Sequence, residues 1–287
     1  MYINSSSSHK REEPERGVLY LVGTPIGNLN DISSRALNIL KNVSLIACED
    51  TRQTKKILCK FKISNILISF NQHNSDNKIS RITRDLSEGK TIALVSDAGL
   101  PSICDPGENL VRAVKKAGFD VICIPGACAA LTALVSSGFP SSSFVFEGFL
   151  PRKKIDREKI LKEISKSEKT TILFESPHRL KRLLKELSKF CGDKREIEVT
   201  RELTKKFEEH IGGHLKDVIR FFENKDIKGE ITIVIKGIDK KPNLVFNESD
   251  IKKELKELIN AGINLSAASK YLAKKNGVKK SLIYNLQ

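Results

Sequence analysis

From Gly17 onward, short apolar runs alternate with amphipathic stretches, the period of the apolar positions switching between that of a buried strand and that of a helix. The runs predict strands at Val18–Gly23, Leu45–Glu49, Ile66–Phe70, Thr91–Ser96, Asp120–Ile124, Phe144–Phe149, Thr170–Phe174, Glu196–Thr200 and Glu230–Lys236. Helices are predicted at Ser33–Lys41, Arg52–Phe61, Asn77–Glu88, Pro106–Ala117, Cys128–Ser136, Asp156–Ser165, Pro177–Phe190 and Leu215–Phe222. Such alternation belongs to the α/β class and argues for parallel βαβ units. Nine strands exceed one mononucleotide-binding unit, so two α/β domains with a ligand cleft between them are expected, 17–126 and 127–238, with the turn Pro125-Gly126-Ala127 as the boundary.

The two ends differ from this core. Residues 1–16 are polar and of low complexity, which predicts a disordered tail. Residues 239–287 form a basic helical appendix, and Leu265–Leu286 reads as helix, glycine turn at Gly277, and helix. That is a helix-turn-helix pattern, with Ala267 and Ala268 small enough for a close crossing and Lys279, Lys280 and Ser281 at the start of the second helix. A small helical cap would read the same way.

A net charge of +15 over 287 residues exceeds what solubility needs and points to a polyanionic partner such as nucleic acid. Residues 240–287 alone hold ten Lys against four Asp or Glu. Lysine-rich coding bias would raise the charge without a partner. The six cysteines, Cys48, Cys59, Cys104, Cys123, Cys128 and Cys191, show no CxxC spacing, so buried free thiols are expected and neither zinc nor disulfides. No run approaches the roughly 18 apolar residues of a membrane span, and the first residues lack an apolar signal core. A cytoplasmic protein is expected.

Chemistry gathers at the carboxyl ends of the predicted strands, where an open α/β sheet holds its ligands. Val95–Gly107 reads VSDAGLPSICDPG: Gly99 lets backbone approach a ligand, Pro101 stiffens the turn, and Asp97 and Asp105 supply carboxylates or helix caps. The first strand runs into Gly23-Thr24-Pro25-Ile26-Gly27, which lacks both a P-loop Lys-Ser/Thr and a GxGxxG, so neither a nucleoside triphosphatase nor an ordinary nicotinamide dehydrogenase is supported. The second ends in Glu49-Asp50-Thr51-Arg52, where Asp50 or Thr51 also serves as a helix cap, and the fifth in Gly126-Ala127-Cys128-Ala129. Arg152 and Lys153, Glu175 and Arg179, and Arg201 and Lys205 end three later strands and read as the wall of a site for an anionic substrate, although a single Glu–Arg pair is usually only a solvated ion pair.

The stretches YLVGTPIGNL (20–29), ACEDTR (47–52), SDAGLPSICDPG (96–107), EGFLPRK (147–153), FESPHR (174–179), RELTKKFEE (201–209) and GEITIVI (229–235) resemble, in order, the ribosomal RNA small subunit methyltransferase I family of the tetrapyrrole-methylase-like superfamily. The resemblance covers residues 17–238. It implies S-adenosylmethionine as methyl donor and 2′-O-methylation of a cytidine (cytidine 1402 by rRNA convention) in 16S rRNA of the small ribosomal subunit, by a homodimer. Carried onto this chain, the donor loops are Thr24, Pro25 and Gly27; Asp97, Ala98, Gly99, Pro101 and Ile103; and Gly126, Ala127, Cys128 and Ala129. Where the family usually has Pro-Gly-Pro-Ser-Ala, this chain has Pro125-Gly126-Ala127-Cys128-Ala129 and loses a hydroxyl. Methyl transfer is an in-line displacement that depends on alignment, eased by a group that takes the hydroxyl proton. Asp97, Glu49, Asp50, Glu175 and Lys205 are the candidates for that role; Glu175 is taken first, with Lys205 and Arg201 beside it and Arg201 and Arg179 gripping phosphates, and Glu49, Asp50, Arg52, Arg152, Arg179, Arg201, Lys279 and Lys280 are expected to contact substrate. Two alternatives stay open: a small-molecule methylase, which leaves the basic appendix unexplained, and a nucleic-acid-binding protein with an inactive α/β core.

Overall fold

The structure, a computed structural model, describes residues 12–71, 75–239 and 248–286. The described residues fall into two compact units, one ending at Gly237 and the other beginning at Ile238. Of the predicted tail, residues 1–11 lie outside the described residues, while Glu13 accepts from Arg35 Nε at 2.7 Å and the Glu15 amide donates to the Tyr20 hydroxyl at 2.8 Å.

The first sheet is wholly parallel. Its strands β1 (Leu19–Val22), β2 (Leu45–Cys48), β3 (Leu67–Ser69), β4 (Ile92–Val95) and β5 (Val121–Ile124) lie in the order β3-β2-β4-β1-β5. Central β2 and β4 read LIAC and IALV and are buried at every position, as strands covered on both faces must be. Helices α1 (Ser34–Asn42) and α2 (Thr51–Lys60) send Ile39, Leu40 and Leu58 onto one face, against Tyr20 and Ile46. Helices α3 (Ser75–Ser87) and α4 (Glu108–Lys116) send Ile82, Leu86, Leu110 and Val114 onto the other, against Leu19 and Leu94. Chain connections leave β1 and β4, which are neighbours, in opposite directions, so a crevice opens beyond their carboxyl ends. Side-chain caps start the helices: Ser33 Oγ accepts from the Ala36 amide at 3.1 Å, and Asp50 caps α2.

After α5 (Ala129–Ser137) comes the second sheet, with β6 (Phe144–Phe149), β7 (Thr170–Glu175), β8 (Glu196–Arg201), β9 (Glu209–His214) and β10 (Ile231–Ile235) in the order β6-β7-β10-β8-β9. The all-parallel expectation is corrected here. β10 is inserted antiparallel between β7 and β8, and β9 pairs antiparallel with β8. β6, α6 (Lys154–Lys166), β7, α7 (Pro177–Cys191) and β8 still follow the βαβ path, because β7 and β8 run alike on either side of β10. The alternating pattern reports crossovers and not the direction of a strand that arrives last. α6, α7 and α8 (Leu215–Phe222) bury Leu161, Leu180, Leu184 and Phe222 on one face, while Ala130, Ala133 and Leu134 of α5 cover the other with Ile26 and Leu203. β9 was not foreseen. Its sequence EHIGGH lies half-buried or exposed at the sheet edge and carries no apolar run.

His210 on β9 sits between Glu208 Oε1 at 2.8 Å and Glu198 Oε1 at 3.0 Å, and these two carboxylates raise its pKa. Since the folded value lies above the roughly 6.5 of an unfolded histidine, the stabilisation is complete below that pH and is lost as pH rises through the folded value. His210→Gln should therefore lower the thermal unfolding midpoint at pH 6 and have little effect at pH 9, and the half-exposed geometry limits the effect to about 1 kcal/mol. An equal loss at both pH values would contradict the ion-pair account.

In the second unit α9 (Glu248–Asn260), α10 (Leu265–Asn276) and α11 (Lys280–Tyr284) enclose Ile251, Leu255, Leu272 and Ile283. Gly277 ends α10 at φ 65°, a left-handed cap. The predicted crossing is corrected by one residue: Ala268 and Ser269 are buried, whereas Ala267 is exposed. Among the six free cysteines only Cys48 is buried; Cys59, Cys104 and Cys123 are exposed and Cys128 and Cys191 half-buried, because strand ends and edges leave one face open. No described helix is long and apolar enough to cross a membrane.

Candidate active site

A cleft of about 510 Å³ opens beyond the carboxyl ends of β1, β2 and β4 and is closed on its far side by the ends of β6 and β7 and by β10. Ile26, Leu100, Phe149, Phe174 and Leu203 give it apolar walls, and Glu49, Asp97, Asp105, Glu175 and Glu230 give it carboxylates. This size and mixture are those of a small-molecule site.

The loop after β4 is built around Gly99. Its amide donates to the Thr24 carbonyl at 3.1 Å and its carbonyl accepts from the Thr24 amide at 2.8 Å, tying the β1 and β4 loops into a short antiparallel bridge. Gly99 has φ +79°, and a Cβ there would lie 3.4 Å from both the Ala127 carbonyl oxygen and Ile26 Cγ2. Further along, Ser102 and Cys104 take positive φ, and so do Glu202 and Thr204 around Leu203. Four positive-φ residues that are not glycine thus sit in the two loops bordering the cleft, a conformation L residues adopt only when their surroundings enforce it.

Of the expected donor loops, Asp97, Ala98, Gly99, Ile103, Cys128 and Ala129 line the cleft. Thr24, Pro25, Gly27, Pro101, Gly126 and Ala127 are not among its lining residues. A Cβ on Gly126 would come within 2.7 Å of Gly23 Cα, so Gly126 is needed where the two backbones cross. Gly27 likewise admits the Leu203–Lys205 loop, since a Cβ there would meet Lys205 Cγ.

The acidic side of the cleft is electrostatically coupled. Burial, together with the Asp105 and Asp97 carboxylates, pushes the Glu49 pKa up, and burial and Asp97 do the same for Asp105. Asp97 Oδ1 accepts from the Asp50 amide at 3.0 Å, joining the β4 loop to the β2 loop. A cation bound among these three groups would relieve their mutual repulsion. Across the cleft, Glu175 is buried, its Oε1 accepts from the Ser176 amide at 2.8 Å, and Arg179 Nε lies 3.3 Å from the same oxygen.

Most of the cations expected in the cleft wall are engaged elsewhere. Arg179 donates to the Leu150 carbonyl at 3.0 Å, Arg201 pairs with Glu209 at 3.1 Å, and Arg52 pairs with Asp50 at 2.7 Å, holding the Asp50 carboxyl at about 2. None of these, nor Arg152, lines the cleft. Lys205 bonds Glu202 at 2.9 Å and Glu230 at 3.2 Å; burial lowers its pKa, but the two carboxylates outweigh it and leave the pKa raised. Lys279 and Lys280 belong to the second unit, where Lys280 Nζ donates to Ser266 Oγ at 2.8 Å. Sequence reasoning did not place Phe149, Phe174, Leu203 or Thr232 in the site, because apolar or small residues near strand ends read as core.

Residues 18–219 match the model of the Tetrapyrrole (Corrin/Porphyrin) Methylases. Over 279 residues the chain is 44% identical to the ribosomal RNA small subunit methyltransferase I of Halalkalibacterium halodurans, covering 96% of each chain. This chain belongs to the ribosomal RNA small subunit methyltransferase I family. Its tetrapyrrole-methylase fold is shared with a cobalt precorrin-4 methyltransferase at 17% identity (TM-score 0.59, 77% of this chain and 95% of that one). The same fold occurs in a Thermus thermophilus uroporphyrin-III C-methyltransferase complexed with S-adenosyl homocysteine, at 16% identity (TM-score 0.53, 75% of this chain and 96% of that one).

Proposed function

We propose that this family member transfers a methyl group from S-adenosylmethionine to the ribose 2′-oxygen of a cytidine in 16S rRNA, the position numbered 1402 by rRNA convention. The observation that carries the reading is the Gly99 loop, bordering a 510 Å³ cleft at the carboxyl edge of the first sheet, in a chain 44% identical over its length to a named rRNA methyltransferase. The residues present fit the donor. Gly99 exposes backbone to the cleft, Ile26, Leu100 and Leu203 supply apolar contacts, and Glu49, Asp97 and Asp105 form a carboxylate group suited to a sulfonium and an α-ammonium. When bound, the donor supplies an electrophilic methyl carbon.

The chain's own residues then position the nucleophile. Glu175, oriented by the Ser176 amide and by Arg179, accepts a hydrogen bond from the ribose hydroxyl and draws its proton away, while Phe149 and Phe174 exclude water beside it. Lys205 and Arg201 act through their carboxylate partners, holding the loop and strand that carry Leu203. We assign residues 17–126 and 127–238 as two domains sharing the cleft, and we read the protein as a cytoplasmic homodimer that takes either 16S rRNA or the small ribosomal subunit. Isothermal titration with S-adenosylhomocysteine and a 3′-terminal 16S fragment tests the pairing of ligands: binding of donor without RNA would favour a small-molecule methylase, and RNA without donor an inactive binding protein.

Residues 239–287 are read as an RNA-contacting appendix. Deleting 243–287 should leave S-adenosylhomocysteine affinity unchanged and weaken RNA binding with a flatter salt dependence, since lysine–phosphate contacts release counterions. Full RNA affinity with an unaltered salt slope would make the appendix a structural cap.

A further inference from the structure

The cations around the cleft mouth are largely neutralised by carboxylates: Arg179 by Glu175, Arg201 by Glu209, and Lys205 by Glu202 and Glu230. A different surface of the same unit keeps more of its positive charge, although Lys154 pairs with Glu158 at 3.9 Å, Arg182 pairs with Glu186, and Lys181 and His178 are felt by Asp226. On α7 the exposed face carries His178, Lys181, Arg182, Lys185 and Lys189, and beside it the turn entering α6 exposes Arg152, Lys153 and Lys154. Lys181, Lys185 and Lys189 stand four residues apart, a single stripe with steps of about 6 Å along the helix. Among the described residues, Lys185, Lys189, Arg152 and Lys153 have no carboxylate at ion-pair distance; Lys181 donates only to the Glu223 carbonyl at 2.9 Å, and Lys189 lies 5.9 Å from the centre of the Phe190 ring.

This face is joined to the cleft. Ser176 and Pro177, where α7 begins, line the cleft, as does Phe149, shortly before the Arg152 turn. The turn is held by Arg157, which is 3% exposed: its Nη1 donates to the Arg152 carbonyl at 3.2 Å and its Nη2 to Glu186 Oε1 of α7 at 2.8 Å. Arg182 Nε donates to the same Glu186 oxygen at 3.0 Å. Through Nη1 and Nη2 the buried Arg157 ties the basic turn to the basic helix, while its Nε has no hydrogen-bond partner among the described residues. None of the exposed large hydrophobics lies on α7 itself, Ile155 beside the turn being the nearest at 83% exposed, and the evenly spaced ammoniums of α7 suit a polyphosphate backbone.

We propose that the outer face of α7, with the Arg152–Lys154 turn, is an RNA-backbone track that carries the strand flanking the target nucleotide away from the cleft. The proposal rests on the reading of the protein as an rRNA methyltransferase. Its test is Lys185→Glu with Lys189→Glu, compared with a charge-matched control, Lys115→Glu with Lys116→Glu on α4, where both lysines are also exposed. Anisotropy with a 3′-terminal 16S fragment should show at least a tenfold loss for the α7 variant and a salt slope flatter by about 1.4 to 1.8, the contribution of two phosphate contacts. The control should lose far less, and S-adenosylhomocysteine affinity should be unchanged in both. Wild-type affinity and slope in the α7 variant, or an equal loss in the control, would overturn the track. Displacement of the RNA by polyglutamate as effective as by unlabelled RNA would overturn it in favour of an acidic protein partner. Wild-type protein that binds the donor but no RNA would overturn the functional reading and the track together.

Discussion

Gly99→Val should reduce S-adenosylhomocysteine affinity by at least a hundredfold. Two effects add at this position. The residue holds φ +79°, which for a β-branched side chain costs about 1–3 kcal/mol, and the valine branches would extend from a Cβ already 3.4 Å from the Ala127 carbonyl and Ile26. Relief by moving the loop would break the two hydrogen bonds to Thr24 that fix the cleft wall. Gly99→Ala should show a smaller loss of the same sign. Isothermal titration measures the affinities, and circular dichroism shows whether the fold persists. A valine variant that is folded and binds with wild-type affinity would remove this loop from the donor site.

Glu175→Gln is the second large effect. A buried carboxylate that accepts the hydroxyl proton contributes about 10²–10⁴ in rate, so single-turnover methylation should slow by that range while donor affinity stays within a few-fold. The amide keeps the shape and can still accept from the Ser176 amide, which separates loss of the charge from loss of packing. Because Arg179 would lose its carboxylate partner, a drop of about 1 kcal/mol or more in stability should accompany the rate loss. Rates within threefold of wild type in a folded variant would move the proton-accepting role to another cleft carboxylate, with Glu49 next because its pKa is raised by burial and by Asp105 and Asp97.

The first sheet was legible because parallel strands buried on both faces leave continuous apolar runs, as in IALV of β4. The Gly99 loop was legible for a related reason: glycine and proline beside aspartate directly after such a strand have few other uses. β9 escaped because an edge strand of histidine and glycine has no apolar period, and β10 was found as a strand but not as an antiparallel one, since direction is a property of its neighbours. The cleft wall was misjudged for the same non-local cause. Sequence shows Arg201 and Lys205 at strand ends but not that Glu209, Glu202 and Glu230 lie within reach of them. Asp105 was read as a carboxylate or a cap, and its coupling to Glu49 depends on β2 and β4 being adjacent in the sheet.

The central claim is the atom that receives the methyl group. Mass spectrometry of 16S rRNA nucleosides from cells lacking this protein should show loss of a 2′-O-methylated cytidine, restored by the wild-type protein and not by Glu175→Gln. Retention of every 2′-O-methylated cytidine would contradict the assignment, and loss of a base methyl group in its place would keep the donor site and overturn the acceptor.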